Sequence, residues 1–231
     1  GLDALPAAAC AAGALIEYAR ATQGNSMAHV NALQVENASA YVALDAATRR
    51  NLEISETLRG EAAPTLLSLL DTCATSMGSR LLHHTLHHPL REPVRIRERL
   101  AAVDLLVNDG ASTGAALRSE LKMCADVERI TARVALKSAR PRDLSALRDT
   151  LARLPQLALQ TASLDSVRLR ALCGDLQPLQ SPAALLARAI RTEPAAVLRE
   201  GGVIADGHDA ELDELRAIDK NCGQFLLDLE A

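Results

Sequence analysis

Apolar residues along most of the chain return at steps of three and four positions, which is the spacing of one face of an α-helix. Each clear case predicts a helix with a narrow apolar stripe. No repeat of constant period accompanies the pattern, so a solenoid is disfavoured. The clearest stripes are Ile96, Leu100, Val103 and Val107, and then Leu144, Leu147, Leu151 and Leu154.

Prolines mark where several of these helices should begin. Pro64, Pro93 and Pro141 each come directly before a helical pattern, and Ser181-Pro182 comes before another. Proline is tolerated in the first helical turn because its missing N–H has no intrahelical partner there. Ser181 is a predicted N-cap, since its hydroxyl can accept a backbone N–H.

Both ends of the chain are predicted to be helical. Residues 4–22 form one helical pattern, which Gly24 and Asn25 should end. Residues 209–231 form the other, with acidic residues in the first turn, where the helix dipole favours them. Because the chain starts without Met and stops within a helical pattern, we expect a piece of a longer polypeptide. The apolar stripe of the last helix is Leu212, Leu215, Cys222, Phe225, Leu226 and Leu229.

Two segments depart from the helical period. Residues 30–44 alternate between apolar and polar positions, which predicts two short extended segments or a small hairpin. Residues 200–208, EGGVIADGH, have glycines on both sides of Val203 and Ile204. They predict a structured turn or a short extended piece.

Composition narrows the fold class. The chain of 231 residues is 48% hydrophobic but only 1% aromatic, and it has no tryptophan. Its core must therefore consist of Leu, Ala, Val and Ile, of which Leu and Ala are strong helix formers. We predict an all-α protein, a multi-helix bundle. The scarcity of aromatic rings also argues against a module that stacks nucleic-acid bases.

Charge and cysteine content limit the partners and the location. The net charge of −4 argues against a protein that coats duplex DNA. The five cysteines have no paired spacing, which indicates reduced thiols rather than disulfides or a thiolate metal site. Neither a leader pattern nor an apolar run of about 18 residues is present, so we expect a cytoplasmic protein without a membrane span.

A histidine cluster is the most conspicuous candidate for metal binding. In each of two pairs the histidines are four residues apart, so they share a helix face and could chelate Zn²⁺ or Ni²⁺. The nearest carboxylates, Asp71 and Glu92, do not fall on the same stripe. We therefore expect a solvated helix face that binds metal only adventitiously. The four residues are His83, His84, His87 and His88.

A row of basic residues is the candidate for phosphate contact. Because the chain is acidic overall, we interpret the row as a surface or interhelix ridge paired with Asp126, Glu128 and Asp143. The alternative is a ridge that faces a phosphate backbone. The basic residues are Arg129, Arg133, Lys137, Arg140 and Arg142.

No catalytic motif is evident. The sequence contains neither a G-x-x-x-x-G-K-[ST] phosphate loop nor a G-x-S-x-G elbow. GGVIADG lacks the preceding strand that a dinucleotide-binding loop requires. We therefore predict no catalytic and no cofactor-binding residue.

Seven strings follow one another along nearly the whole chain: DAATRRNLEI (45–54), LLSLLDTCATSMGSRLL (66–82), LHHPL (86–90), IRERLAAVDLLV (96–107), DVERITARVAL (126–136), ARPRDLSALRDTL (139–151) and GGVIADGHDAELDELR (201–216). In this order and at these separations they resemble the central core, or lever, domain of the bacterial MutS mismatch-repair family. The four histidines fall at positions that the family pattern leaves open. Thr85 stands where a bulky aromatic residue is common. The residues that match the pattern around the histidines are Thr75, Met77, Gly78, Ser79, Arg80, Leu86, Pro89 and Leu90.

The resemblance implies a domain layout and a role. Residues 1–25 would be the helix that leads out of a connector domain, 26–208 the helical core, and 209–231 the base of a long arm that leads to a DNA-embracing clamp. The core would couple ATP-driven changes in an ATPase domain to that clamp. ATP, Mg²⁺, mismatched double-stranded DNA, the partner protein MutL and a homodimer partner would belong to the longer protein, while this piece would be no enzyme.

Three other functions remain open. One is an independent helical adaptor that holds protein partners through exposed leucine stripes. Another is a MutS relative that acts in recombination rather than repair. The third is a metal-dependent helical enzyme that uses the histidine cluster.

Overall fold

Helices make up most of the structure, a computed structural model that describes residues 4–23, 30, 32–33, 35, 38–109, 111–162, 164–176 and 180–230. The described residues contain no β-strand, only two isolated bridges. The predicted all-α, multi-helix bundle is therefore confirmed. The α-helices are α1 (Pro6–Gln23), α2 (Ala46–Asn51), α3 (Leu66–Leu70), α4 (Ser76–His87), α5 (Pro93–Asp104), α6 (Ala111–Lys122), α7 (Val127–Ala135), α8 (Pro141–Thr161), α9 (Val167–Asp175), α10 (Gln180–Ala189) and α11 (Ala210–Glu230).

The proline signals locate most helix starts correctly. Pro93 and Pro141 are the first residues of α5 and α8. Pro64 comes two residues before α3, which Thr65 caps by accepting the N–H of Ser68. The hydroxyl of Ser68 accepts the N–H of Thr65 in return, so two backbone donors that the helix leaves free are satisfied.

The predicted N-cap at Ser181 is wrong. Helix α10 begins at Gln180, so Ser181 and Pro182 both lie inside its first turn. The first four N–H groups of any helix lack an intrahelical partner. A proline is therefore tolerated throughout the first turn, and its position does not fix the first residue.

Helix α8 lies at the centre of the fold, in contact with α6, α7, α9 and α10. Leu147 of its predicted stripe is buried. Leu144, Leu151 and Leu154 are half-buried. The apolar face predicted for this helix is confirmed, and it is the face that meets the surrounding helices.

The apolar stripe predicted on α5 is not the face that meets the core. Ala102 is only 5% exposed and packs with Leu164 and Leu169, whereas Leu100 of the stripe is 61% exposed. Helix α5 has two apolar faces, and the small side chain of Ala102 allows α9 to approach closely. Periodicity finds such faces but does not say which one meets a neighbour. The exposed residues of the stripe are Ile96, Leu100, Val103 and Val107.

No hairpin forms among the described residues of the range 30–44. Instead, Tyr41 makes an isolated antiparallel bridge with Leu90, which follows α4. The N–H of Val42 donates to the carbonyl oxygen of Pro89 at 2.8 Å. The alternating pattern indicated extended backbone correctly at Tyr41, but it carried no information on a partner almost fifty residues away.

The terminal helices agree with the sequence pattern. The prediction over residues 4–22 is met by α1, while Gly24 and Asn25 lie outside the described residues. The prediction over residues 209–231 is met by α11. Leu212 of its stripe is half-buried and Leu215 is exposed. Four further stripe positions lie outside the described side chains: Cys222, Phe225, Leu226 and Leu229.

Candidate functional site: the joint at the base of the last helix

A single arginine of α8 holds the segment that follows α10. The guanidinium of Arg148 donates to the carbonyl oxygens of Ile190 at 3.1 Å, Arg191 at 2.7 Å and Thr192 at 3.1 Å. Its side chain is only 13% exposed. A guanidinium carries five N–H donors in one plane, so Arg148 can satisfy three successive carbonyl groups that belong to no helix.

The same segment pairs with the chain just before α11. Ile190 and Ile204 form an antiparallel bridge, and the N–H of Arg191 donates to the carbonyl oxygen of Val203 at 3.0 Å. Ala189, Ile190 and Val203 are buried together. The short extended piece predicted around Val203 and Ile204 is thus confirmed, and its partner is the end of α10.

Glycines form the turns on both sides of this piece. Gly201 and Gly202 have φ angles of +70° and +66°, and Gly207 has +79°. These left-handed values are strained for residues with a side chain, whereas glycine adopts them readily. The chain can therefore turn out of the bridge directly into α11.

Arg216, in the second turn of α11, ties that helix back to the bridge. It donates to the carbonyl oxygen of Ile204 at 2.9 Å and to the carboxylate of Asp206 at 2.8 Å. Asp206 also accepts from Arg191 at 2.5 Å. One carboxylate thus receives an arginine from each side of the joint. We call these contacts, from Arg148 through the bridge to Arg216, the arm joint.

The first turn of α11 is fixed to the same loop. The N–H of Gly207 donates to Asp213 at 2.7 Å, and the N–H of Leu212 donates to Asp209 at 3.1 Å. Carboxylates at a helix start accept otherwise free N–H groups and interact favourably with the helix dipole. The direction in which α11 leaves the body is therefore set by several short contacts.

Further arginine–carboxylate pairs join the helices of the body. Arg80 of α4 makes two bonds of 2.8 Å to Asp126, which caps α7, and it also donates to Glu128. The bond from Arg80 holds the pKa of Asp126 well below its usual range. Arg153 of α8 binds Glu120 of α6 at 3.0 Å.

Some residues of the basic ridge predicted from the sequence pair with carboxylates, and the others are exposed. Arg133 makes a two-bond contact with Asp143, at 2.7 and 2.9 Å, which links α7 to the start of α8. The N–H of Arg140 and then the Arg133 guanidinium lower the pKa of Asp143. Arg129 lies 3.6 Å from Asp126. The interpretation as a surface or interhelix ridge paired with carboxylates is confirmed for Arg129, whose partner caps the same helix, and for Arg133, whose partner is on α8. Glu128 pairs with Arg80 instead. Lys137, Arg140 and Arg142 are exposed.

The histidines form two stacked pairs. The ring centroids of His83 and His87 lie 4.4 Å apart, and those of His84 and His88 lie 4.3 Å apart. His83 and His84 are exposed, whereas His87 and His88 are half-buried. Burial, and then the neighbouring His83, lower the pKa of His87.

Metal ligands do not gather elsewhere in the described part of the chain. No group of three or more His, Cys, Asp and Glu side chains is placed there to hold an ion. No helix in that part is long and apolar enough to cross a bilayer.

Sequence reasoning did not single out Arg148 or Arg216, the two ends of the arm joint. A signal existed for Arg148, which lies four residues after Leu144 and three before Leu151, on the apolar face of α8. A charged residue on such a face needs a polar partner. Arg216 carries no comparable signal, because its neighbours in the sequence are those of an ordinary exposed helix face.

Comparison with known protein families gives a match over most of the chain. The model of MutS domain III matches residues 47–230, which is most of the chain and includes every contact of the arm joint. The order of the seven strings pointed to the same domain. The chain therefore belongs to the MutS family, and residues 47–230 are a domain III, the core domain of these DNA mismatch-repair proteins.

Proposed function

We propose that this chain transmits motion between an ATPase domain and a DNA-embracing clamp of a longer mismatch-repair protein. The observation that carries the proposal is the arm joint, an unbroken series of hydrogen bonds from the central helix α8 to the base of α11. ATP, Mg²⁺, mismatched DNA, MutL and a homodimer partner are assigned to the longer protein, which we place in the cytoplasm.

The geometry of α11 suits a lever. A helix of 21 residues is about 30 Å long. Its polar contacts with the body, as far as the structure describes them, come from its first two turns. A rotation of about 10° at the joint therefore moves the far end by about 5 Å. Small changes at the body become larger displacements of whatever α11 carries.

The test measures the orientation of α11 directly. Spin labels at two exposed positions, Leu159 in α8 and Ile218 in α11, are introduced after the five native cysteines are replaced by alanine. Double electron–electron resonance then gives the distribution of distances between them. We expect a narrow distribution in the parent, a broad one in Arg216→Gln, and no change in the control Arg199→Gln, which is exposed. An equally narrow distribution in Arg216→Gln would contradict the proposal.

The proposal also assigns ATP hydrolysis and mismatch binding to other domains of the longer protein. We expect the purified chain neither to hydrolyse ATP nor to bind mismatched duplex DNA tightly at physiological salt. A turnover assay and a mismatch-binding titration check this, and measurable activity in either would contradict the assignment of both functions to other domains.

One observation favours a second function, an adaptor for protein partners. Ile96 and Leu100 line an apolar groove of about 610 Å³, to which Thr85 also contributes. If the chain is an adaptor, Leu100→Glu should abolish partner binding while leaving the distances between the two spin labels unchanged. If the chain transmits motion, Arg216→Gln should broaden the distribution of distances between the two spin labels.

A further inference from the structure

The two stacked histidine pairs at the end of α4 are chemically different. In the first pair, the Nε2 of His87 lies 2.9 Å from the hydroxyl oxygen of Ser55. In the second pair, the Nδ1 of His88 lies 3.0 Å from the carbonyl oxygen of His84. A carbonyl oxygen can only accept, so the Nδ1 of His88 carries a proton and donates it. In the neutral ring, the Nε2 of His88 is then the nitrogen with a free lone pair.

This arrangement of His88 is the one found in metal-binding histidines. Such residues donate one ring N–H to a carboxylate or a backbone carbonyl, which fixes the tautomer and orients the ring. The ring of His84 is exposed and lies 4.3 Å from that of His88, with an angle of 19° between the planes. Because side chains four residues apart on a helix are neighbours, one nitrogen of each ring can be directed towards a shared ion.

We propose that His84 and His88 form a two-imidazole chelate for a divalent transition-metal ion such as Ni²⁺, Cu²⁺ or Zn²⁺. Imidazole nitrogen suits these ions, whereas Mg²⁺ and Ca²⁺ prefer oxygen ligands. Among the described residues no third His, Cys, Asp or Glu joins the pair. The ion therefore keeps water at its remaining positions and exchanges with solvent, unlike the closed four-ligand sites that hold structural zinc.

The first pair is less suited to chelation, and it serves as an internal control. His87 is half-buried, and its Nε2 is already engaged by Ser55. An ion bound by His83 and His87 would have to displace that contact or use the other ring nitrogen. The spacing of four residues is the same in both pairs, so the difference between them lies in the surroundings of the rings.

The bound ion would connect α4 to the extended segment at Tyr41. The ring of Tyr41 meets both histidines edge-on, with centroids 5.7 Å from His88 and 6.3 Å from His84. Tyr41 also bridges to Leu90, directly after the last turn of α4. An ion across the two imidazoles holds that turn in the conformation that Tyr41 contacts.

The test uses Ni²⁺ alone as the probe, because the exposed thiols of Cys10 and Cys73 would reduce Cu²⁺. The chain has two tyrosines and no tryptophan, so Tyr18→Phe leaves Tyr41 as the fluorescent reporter. Titration calorimetry should give one Ni²⁺ per chain, and the emission of Tyr41 should fall with the same stoichiometry. An excess of Mg²⁺ or Ca²⁺ should change neither result.

Substitutions then assign the ligands. His84→Ala and His88→Ala should each weaken Ni²⁺ binding by roughly tenfold or more, because one arm of the chelate is lost. His83→Ala, the matched control, should leave the affinity unchanged. The proposal is overturned if His84→Ala binds as tightly as the parent, or if His83→Ala weakens binding as much as His84→Ala does. Alanine is the best helix former, so these substitutions should preserve α4. Far-UV circular dichroism verifies the helix content of each variant. His84→Gln serves as a second substitution at the same position.

Discussion

Arg148 is the side chain on which the end of α10 and the arm joint both depend. Its guanidinium is nearly buried and satisfies three backbone carbonyl groups at once. Arg148→Gln removes those donors, and we expect the free energy of unfolding to fall by roughly 1–3 kcal/mol, because hydrogen bonds from a charged group are lost and partly buried acceptors are left without partners. Urea denaturation measures the change.

The control for Arg148 lies on the same helix. Arg142 is exposed, so Arg142→Gln should alter the free energy of unfolding by less than about 0.5 kcal/mol. Equal losses in the two variants would mean that the carbonyl contacts of Arg148 contribute nothing specific.

The carboxylate of Asp126 makes the free energy of unfolding depend on pH in the acidic range. Its pKa is lowered in the folded chain by the bond from Arg80, while an unfolded aspartate has a pKa of about 3.9. The native state therefore binds this proton less readily than the unfolded state. The stabilisation is fully present above the unfolded pKa and is lost as the pH falls below about 4 towards the folded pKa.

Asp126→Asn should accordingly lower stability at pH 7 and flatten its decline below about pH 4. The free energy of unfolding, measured by urea between pH 7 and pH 2, checks both effects. Asp165, whose side chain is 92% exposed, provides the comparison, and Asp165→Asn should follow the parent curve. A parental pH profile in Asp126→Asn would contradict the assignment.

At the scale of an element, helix α5 shows that a periodic pattern does not tell which of two apolar faces is buried. Its predicted stripe is exposed, and Ala102 meets Leu169 instead. Leu169→Ala should cost about 2–3 kcal/mol, because it removes buried methyl groups and leaves a cavity. Leu100→Ala should change the free energy of unfolding by less than about 0.5 kcal/mol. Thermal and urea unfolding compare the two, and a larger loss in Leu100→Ala would show that the stripe is covered.

The sequence predicts helices well here because three independent signals coincide. Proline in the first turn, apolar spacing and a Leu/Ala-rich composition all favour helix, and Pro93 and Pro141 do begin helices. Partners that are distant along the chain are harder to predict. The bridge from Tyr41 to Leu90 and the bonds from Arg148 to residues 190–192 depend on how helices pack, which a local pattern does not contain.

The candidate site was predictable only in part. The short extended piece around Val203 and the pairing of Arg133 with Asp143 follow from glycine positions and from charges close together in the sequence. The role of Arg216 does not, because an arginine on an exposed helix face has the same neighbours in sequence whether it meets solvent or a carbonyl group. The place of Arg148 on the apolar face of α8 indicates a polar partner but does not say which one.

At the scale of the whole molecule, the arm joint should open without unfolding of the body. None of the described side chains of α11 is buried, and Leu215 and Ile218 are exposed. Regions with few buried apolar contacts open independently of the core. In Arg216→Gln, backbone amides of residues 203–216 should exchange faster with deuterium, while those of α8 keep their protection. Hydrogen-exchange mass spectrometry measures both, with Arg199→Gln as the control. Loss of protection in α8 as well would mean that joint and body unfold together.

The two arginine contacts of Asp206 affect how the arm joint closes again after it has opened. Because its carboxylate accepts from both Arg191 and Arg216, departure of Arg216 still leaves the negative charge neutralised by Arg191. Arg191 lies directly after α10, outside residues 203–216, so the Asp206 carboxylate keeps one arginine partner when α11 moves. The returning guanidinium of Arg216 therefore meets a carboxylate that Arg191 still holds, and the acceptor does not have to be positioned anew.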